Sequence, residues 1–241
     1  MVAEAAGVVR RGLPPVDPPV VLRGIGLTRR YRTTTGAVVA LEGVDVEVRA
    51  GAVTALVGPS GSGKSTALRL LACLDRPDAG SVLLDGAPVH DLPARWRREL
   101  RRRRIAFLES EPVANLLVHL DAGANIRNAA RWRGGPHVAV DPEQALAAVG
   151  LGGRSGARVA ELSGGEQQRL GLAVATAGFP SIVVADEPTA SLDRTTVGAV
   201  VDALALQAAR GAAIVIATHD PAVVATAAYV VELDLGRMVT T

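Results

Sequence analysis

Lysine is all but missing from this sequence: Lys64 is the only one, and the other 25 of the 26 basic residues are arginine. Cysteine is equally scarce. Cys73 stands alone, which excludes an internal disulfide, and its apolar surroundings predict a small core residue in a reducing compartment. Aromatic residues make up only 2% of the chain, so extended aromatic surfaces are excluded and each tyrosine is worth locating. No stretch reaches the roughly 18 to 20 apolar residues that a membrane-crossing helix needs, which predicts a soluble chain. Residues 1–19, with Arg10 and Arg11 followed by Pro14, Pro15, Pro18 and Pro19, lack the apolar core of a secretory signal. They read as a flexible tail outside the fold. Charge of one sign is also lacking. A formal net charge of +2, despite a pI near 9.2, gives no global basic field and argues against nucleic acid as a partner. The basic residues do cluster at Arg97, Arg98 and Arg101 to Arg104. That cluster reads as a solvated helix face, with a protein partner or anionic lipid as the alternative.

What is present is a chain of 241 residues, 49% hydrophobic, long enough for one domain with a subdomain. Short β-branched runs alternate with helical stretches, the pattern of an α/β protein with a mainly parallel sheet. Strands are predicted at residues 20–27, 38–48, 53–57, 81–84, 182–186, 213–218 and 229–233, and a helix at 64–73. Residues 115–162 read differently, with helices at 121–131 and 142–149 separated by glycine-rich turns and no strong strand. This is a candidate helical insertion.

Between a predicted strand and a predicted helix lies Gly58-Pro59-Ser60-Gly61-Ser62-Gly63-Lys64-Ser65-Thr66, a match to GxxxxGK[ST] in the context that motif requires. Glycines let backbone N–H groups curl around phosphate oxygens, and the helix start adds partial positive charge. Lys64 would reach the β- and γ-phosphates and the Ser65 hydroxyl a Mg²⁺ ion. Leu162-Ser163-Gly164-Gly165-Glu166-Gln167-Gln168-Arg169 opens a second helix whose hydroxyl and glycines offer further donors to a γ-phosphate. The apolar run 182–185 ends in Asp186 and Glu187, suited to hold Mg²⁺ and to activate a water as general base. His219 ends another apolar run, and Tyr31 precedes the phosphate loop.

Taken in order, these motifs resemble the ABC ATPase family. The second motif is similar to its LSGGQ or LSGGE signature followed by QQR, and Asp186-Glu187-Pro188-Thr189-Ala190-Ser191-Leu192-Asp193 to its Walker B and D-loop segments. The resemblance covers nearly everything from residue 20 onward, and it is most similar to the lipoprotein-releasing, macrolide-exporting and cell-division members. It implies a P-loop NTPase (RecA-like) α/β core over about 20–111 and 163–241, an N-terminal antiparallel β region, and an α-helical subdomain over about 112–162. It further implies ATP as ligand, with Mg²⁺ held by Ser65 and Asp186, Glu187 and His219 as catalytic residues, and Tyr31 stacked on adenine. Ser163 to Gln167 would face the nucleotide of a second copy or of a homologous subunit. A separate transmembrane permease at the cytoplasmic face of the membrane would be the other partner, docking on the Ser110 loop and helical insertion.

One departure stands out. Where the family has a glutamine near Mg²⁺ and the attacking water, this alignment places Ser110, with Glu109 and Glu111 beside it as substitutes for the metal contact. An exporter or extractor of the lipoprotein or macrolide type is the expected function. An ATP-driven regulatory switch that signals through a membrane partner uses the same motifs and stays open. Soluble members acting on ribosomes or DNA fit less well, because the chain has neither two cassettes nor a coiled coil or zinc site.

Overall fold

The computed structural model describes residues 8–10, 17–34, 36–135, 138–193 and 195–239. In chain order the elements are β1 (Val8–Arg10), β2 (Val20–Thr33), β3 (Gly36–Arg49), β4 (Val53–Val57), α1 (Lys64–Leu71), β5 (Ala79–Leu84) and β6 (Ala87–Pro88). Then follow α2 (Ala94–Arg103), β7 (Ile105–Leu108), α3 (Ala122–Gly134), α4 (Pro142–Ala147) and α5 (Gly164–Thr176). The last are β8 (Ile182–Asp186), α6 (Val197–Ala209), β9 (Ala213–Ala217), α7 (Pro221–Thr226), β10 (Tyr229–Asp234) and β11 (Arg237–Met238).

Among the described residues the main sheet runs β1-β10-β4-β9-β8-β7, with β11 on β10, and its central pairs are parallel. The strands β8 and β9 are buried at every residue, as a sheet covered on both faces requires. Their side chains divide by alternation. Val183, Ala185, Ile214 and Ile216 join a core shared with α5, α6 and the helical region. Ile182, Val184, Val215 and Ala217 face the other way, against α1 and the antiparallel sheet β3-β2-β5-β6. The phosphate loop at the end of β4 therefore sits between two packed layers, and β7, β8 and β9 end beside it.

Two expectations are altered. Of the proposed tail, residues 1–7 and 11–16 lie outside the described residues, but Val8–Arg10 pair antiparallel with β10, and the Pro18 and Pro19 carbonyls accept from Arg49 Nη1 (3.1 Å) and Ala50 N–H (3.0 Å). The hairpin β2–β3 is longer than the strands read at 20–27 and 38–48. Its outer part, from Thr28, is an exposed arginine-rich ribbon whose backbone pairs without any apolar alternation to announce it. The helical region holds α3 and α4, each capped by an aspartate: Asp121 accepts from Ala124 N–H (2.6 Å) and Asp141 from Glu143 N–H (2.9 Å).

The arginine run on α2 is largely used inside the fold. Arg101 donates to the Cys73 carbonyl (2.5 Å), Arg102 to the Trp132 carbonyl (2.8 Å) and Arg104 to the Ser181 hydroxyl (2.8 Å), while Arg102 and Arg103 both pair with Glu99. Arginine's several donors let one side chain bridge elements that a single ammonium would not. Cys73 is buried, and burial pushes its thiol up to about 11, which suits an inert core residue.

Candidate functional site

The chain leaves β4 and turns through Gly58 to Gly63 before α1 begins at Lys64. Only glycine fits two of these positions. At Gly58, with φ of 141°, a Cβ would lie 2.0 Å from the Leu233 carbonyl oxygen; at Gly63, with φ of 98°, it would lie 2.4 Å from that of Ala40. The loop borders an open cleft of about 660 Å³, whose other walls are Val38, Val39 and Ala40 of β3 together with Glu187 and His219. Lys64 is nearly buried and donates from Nζ to the Gly58 (2.8 Å) and Pro59 (3.0 Å) carbonyls. The ammonium is thus parked inside the loop by weak acceptors that an anion can replace.

Asp186 closes β8 and is 6% exposed. Burial pushes its carboxyl above the usual range, opposed by a hydrogen bond from Ser65 and by the charges of Lys64 and Arg69, and reinforced by Glu187. Its Oδ1 is buried without a hydrogen-bond partner. A carboxylate oxygen left orphaned beside a serine hydroxyl, at the end of a phosphate loop, is a fit for a hard cation. Among the described residues no three His, Cys, Asp or Glu side chains form a metal cage. That accords with Mg²⁺, which takes one or two protein ligands and completes its shell with phosphates and water.

The chain then turns sharply. Glu187 has φ of 46°, left-handed for a residue with a side chain, and its N–H donates to the Ala217 carbonyl (2.9 Å). This turn sends the Glu187 side chain away from that of Asp186 and toward the cleft. His219 Nδ1 stands 2.9 Å from Glu187 Oε2, a close approach whose angle falls short of a hydrogen bond, and the His219 side chain is 73% exposed. Behind them Gln168, fully buried, donates to the Glu187 carbonyl (3.4 Å) and ties the α5 helix to this corner.

The sequence pattern of the ABC transporter family matches residues 41–190, which hold the phosphate loop, Lys64, Ser65, Gln168, Asp186 and Glu187. The chain belongs to that family. The ATP-binding protein LolD of the lipoprotein-releasing system of Chromohalobacter salexigens is 39% identical over 224 residues, covering 91% of this chain and 93% of that protein. The macrolide export ATP-binding/permease protein MacB 1/2 of Paracoccus denitrificans is also 39% identical over 224 residues, but the chain spans only 33% of its length. Among solved structures, the dimeric ATP-binding cassette MJ0796 in a post-hydrolysis state with ADP and phosphate superposes with a TM-score of 0.82 at 29% identity, covering 90% of this chain and 96% of that one. The chain is accordingly an ATP-binding, ATP-hydrolysing cassette.

The remaining residues of interest lie outside the cleft wall of this ABC ATPase. Ser163 to Gln167 begin α5 elsewhere on the surface, and none of them lines it. Ser163 and Gly164 are exposed, whereas the Gln167 side chain points inward, donating to the Val159 and Leu162 carbonyls (both 3.0 Å). Tyr31 is also absent from the cleft wall. Its hydroxyl lies 3.5 Å from Asp75 and Arg29 stacks 5.0 Å from its ring, and the hairpin presents Val38 and Val39 to the cleft instead.

Ser110 is exposed and does not line the cleft either. The residue that directly follows β7 is Glu109: Leu108 pairs with Ala185, so Glu109 is the next position beside Asp186. Asn115 holds the Glu109 backbone from both sides, accepting from its N–H (2.7 Å) and donating to its carbonyl (2.9 Å), and Arg69 stands 3.6 Å from its carboxylate. Neither Glu109 nor Ser110 lines the cleft, and both belong to the segment that follows β7.

The desolvated Asp186 has a stability consequence. Because its folded-state pKa is raised, folding loses stability as pH climbs from the ordinary carboxylate range through the raised value. In nucleotide-free, Mg²⁺-free buffer at pH 7, Asp186→Asn is expected to raise Tm by about 2–4 °C, the shift that 1 kcal/mol gives a domain of this size. Scanning calorimetry at pH 7 and again at pH 4 checks it; the gain should shrink at the lower pH.

Proposed function

We propose that this chain is the energy-coupling subunit of a membrane transporter, stationed at the cytoplasmic face of the membrane, and that two copies enclose ATP between the cleft of one and the α5 start of the other. One observation carries this reading. The two phosphate-binding helix starts, at Lys64 and at Ser163, do not share a pocket within one chain. A second copy placed head to tail supplies what each cleft lacks. The similar cassette MJ0796 is itself dimeric, which supports the same arrangement.

In that dimer, ATP lies with its phosphates in the loop 58–63 and Lys64 turns from its carbonyl acceptors to the β- and γ-phosphates. Ser65 and Asp186 would hold Mg²⁺, whose charge offsets that of the phosphates. Glu187, placed by its left-handed turn, takes the proton of the attacking water as general base, and His219 stands against it to contact the γ-phosphate. Exposed Ser163 and Gly164, with the free N–H groups of the first turn of α5, meet that γ-phosphate from the other side.

No helix among the described residues is long and apolar enough to cross a membrane, so the transport path belongs to a permease segment. Its docking surface is the loop after β7 and the helical region, where Val113, Leu117 and Val118 are exposed. The LolD and MacB relatives favour export or extraction of the lipoprotein or macrolide type. Purification of the tagged chain from native membranes tests the coupling role. A permease should accompany it, and recovery with no membrane protein would count against transport.

The segment after β7 gives a kinetic expectation, with Glu109 taken as the residue that serves the site. Glu109→Ala should lower hydrolysis about tenfold, equivalent to about 1.4 kcal/mol in barrier. Ser110→Ala, and Ser110→Gln with it, should stay within about twofold of the parent, as for an exposed position outside the site. Steady-state rates across a Mg²⁺ titration separate the two residues.

A further inference from the structure

The signature segment carries a carboxylate, Glu166, one turn into the helix start that is to receive a phosphate of ATP. A negative charge there opposes the incoming γ-phosphate, and the opposition grows as the dimer closes and water leaves. The fold deals with this charge in two ways. Glu166 Oε2 is turned back on its own chain, accepting from the Ser163 N–H (2.9 Å), while Ser163 Oγ accepts from the Glu166 N–H (3.3 Å). Its other oxygen, Oε1, faces Arg154 Nη2 at 3.3 Å.

Arg154 is itself held. Its N–H donates to the Leu151 carbonyl (3.1 Å) and its carbonyl accepts from Ala157 N–H (3.0 Å), so its backbone sits in a tight turn of the segment leading to the signature. Its Nε is buried without a hydrogen-bond partner, and the guanidinium reaches Glu166 from a partly covered stem. These contacts, with the backbone hydrogen bond first and the charges of Arg154 and Arg169 after it, hold the Glu166 carboxyl below the usual range. The carboxylate is therefore charged in working conditions, and its neutralisation has to come from a neighbour.

Building on the paired-chain reading, we propose that Arg154 is the counter-ion that makes the glutamate-bearing start of α5 acceptable to the ATP held by a second copy of this chain. Arg154 is a positioning residue. It keeps Glu166 folded into the helix cap and cancels its charge, leaving Ser163 and the first-turn N–H groups to face the γ-phosphate.

The test uses full-length protein carrying Glu187→Gln to prevent turnover, with the ATP concentration for half-maximal dimer formation read by analytical ultracentrifugation in Mg²⁺. Arg154→Ala is expected to raise that concentration about tenfold, and Arg154→Lys, which keeps the charge, about twofold. Adding Glu166→Gln to Arg154→Ala should restore the parent value within about twofold, because the charge needing compensation is gone. ATP affinity of the dilute monomer should not change, since the chain's own phosphate loop is untouched, and melting curves confirm that each variant is folded. If Arg154→Ala dimerises like the parent, or if Glu166→Gln fails to rescue it, Arg154 is only a staple and the proposal is overturned. If the parent binds ATP yet stays monomeric, the pairing itself is wrong and the proposal falls with it.

Discussion

Replacing Glu187 by glutamine is expected to cut ATP hydrolysis by about 10²-fold or more while leaving ATP bound, the usual size of a general-base contribution. The expectation rests on separation of roles at the end of β8. Asp186 is buried, hydrogen-bonded by Ser65 and orphaned at Oδ1, and the proposed function assigns it to the metal. Glu187 leaves the strand in a left-handed turn, borders the cleft and meets His219 at 2.9 Å, and the proposed function assigns it to the water. Glutamine keeps the shape of the side chain and removes only its basicity. A split between unchanged affinity and lost turnover is then the signature, because the lost interaction acts in the transition state. Rapid-quench hydrolysis and equilibrium ATP titration on the same preparation check both halves. Normal turnover in the variant would move the base elsewhere, with Glu109 as the first place to look.

Lys64→Ala should weaken ATP binding about 10- to 100-fold, the range of a lost charge-assisted hydrogen bond, and bring hydrolysis to background. No other lysine can take over, since the chain has none. The ammonium is satisfied by the Gly58 and Pro59 carbonyls, so the substitution removes a cation from a formed loop. The same scarcity provides a direct readout. An amine-selective reagent has one side-chain target, and ATP should protect it. Titration calorimetry for affinity and phosphate release for turnover measure the rest; wild-type values in both would show that the phosphate site has been misplaced.

Much of this arrangement is legible in the sequence alone. The loop 58–66 can be read because its glycines and single lysine are chemically distinctive and its strand and helix neighbours are strongly apolar. The strands β4 and β8 are legible to the residue, and β9 and β10 to within one, because burial leaves each a mostly apolar run. Legibility fails where side chains stop carrying the pattern. The outer part of the β2–β3 hairpin is held by backbone pairing of an arginine-rich strand with the run 36–41, and Val8–Arg10 are placed by a partner more than 200 residues away. The arginine run on α2 reads as a solvated face because its acceptors, the carbonyls of Cys73 and Trp132, are backbone atoms that a sequence does not display. Tyr31 has the residue type for stacking on adenine, but the approach of its hydroxyl to Asp75 is a contact between distant residues that the sequence does not display. Glu109 stands beside Ser110 in the sequence reading, and the parallel pairing of Leu108 with Ala185 makes Glu109 the residue that directly follows β7.

The central claim is that ATP joins two copies of this chain and that each site needs both. Sedimentation of the Glu187→Gln protein with saturating ATP and Mg²⁺ tests it most directly. The mass should move from the 24.8 kDa of one chain to twice that value with ATP, stay at one chain with ADP, and stay at one chain with ATP when Lys64→Ala is added. A protein that binds ATP fully and still sediments as one chain, while the wild type hydrolyses ATP at the same dilution, would contradict the account.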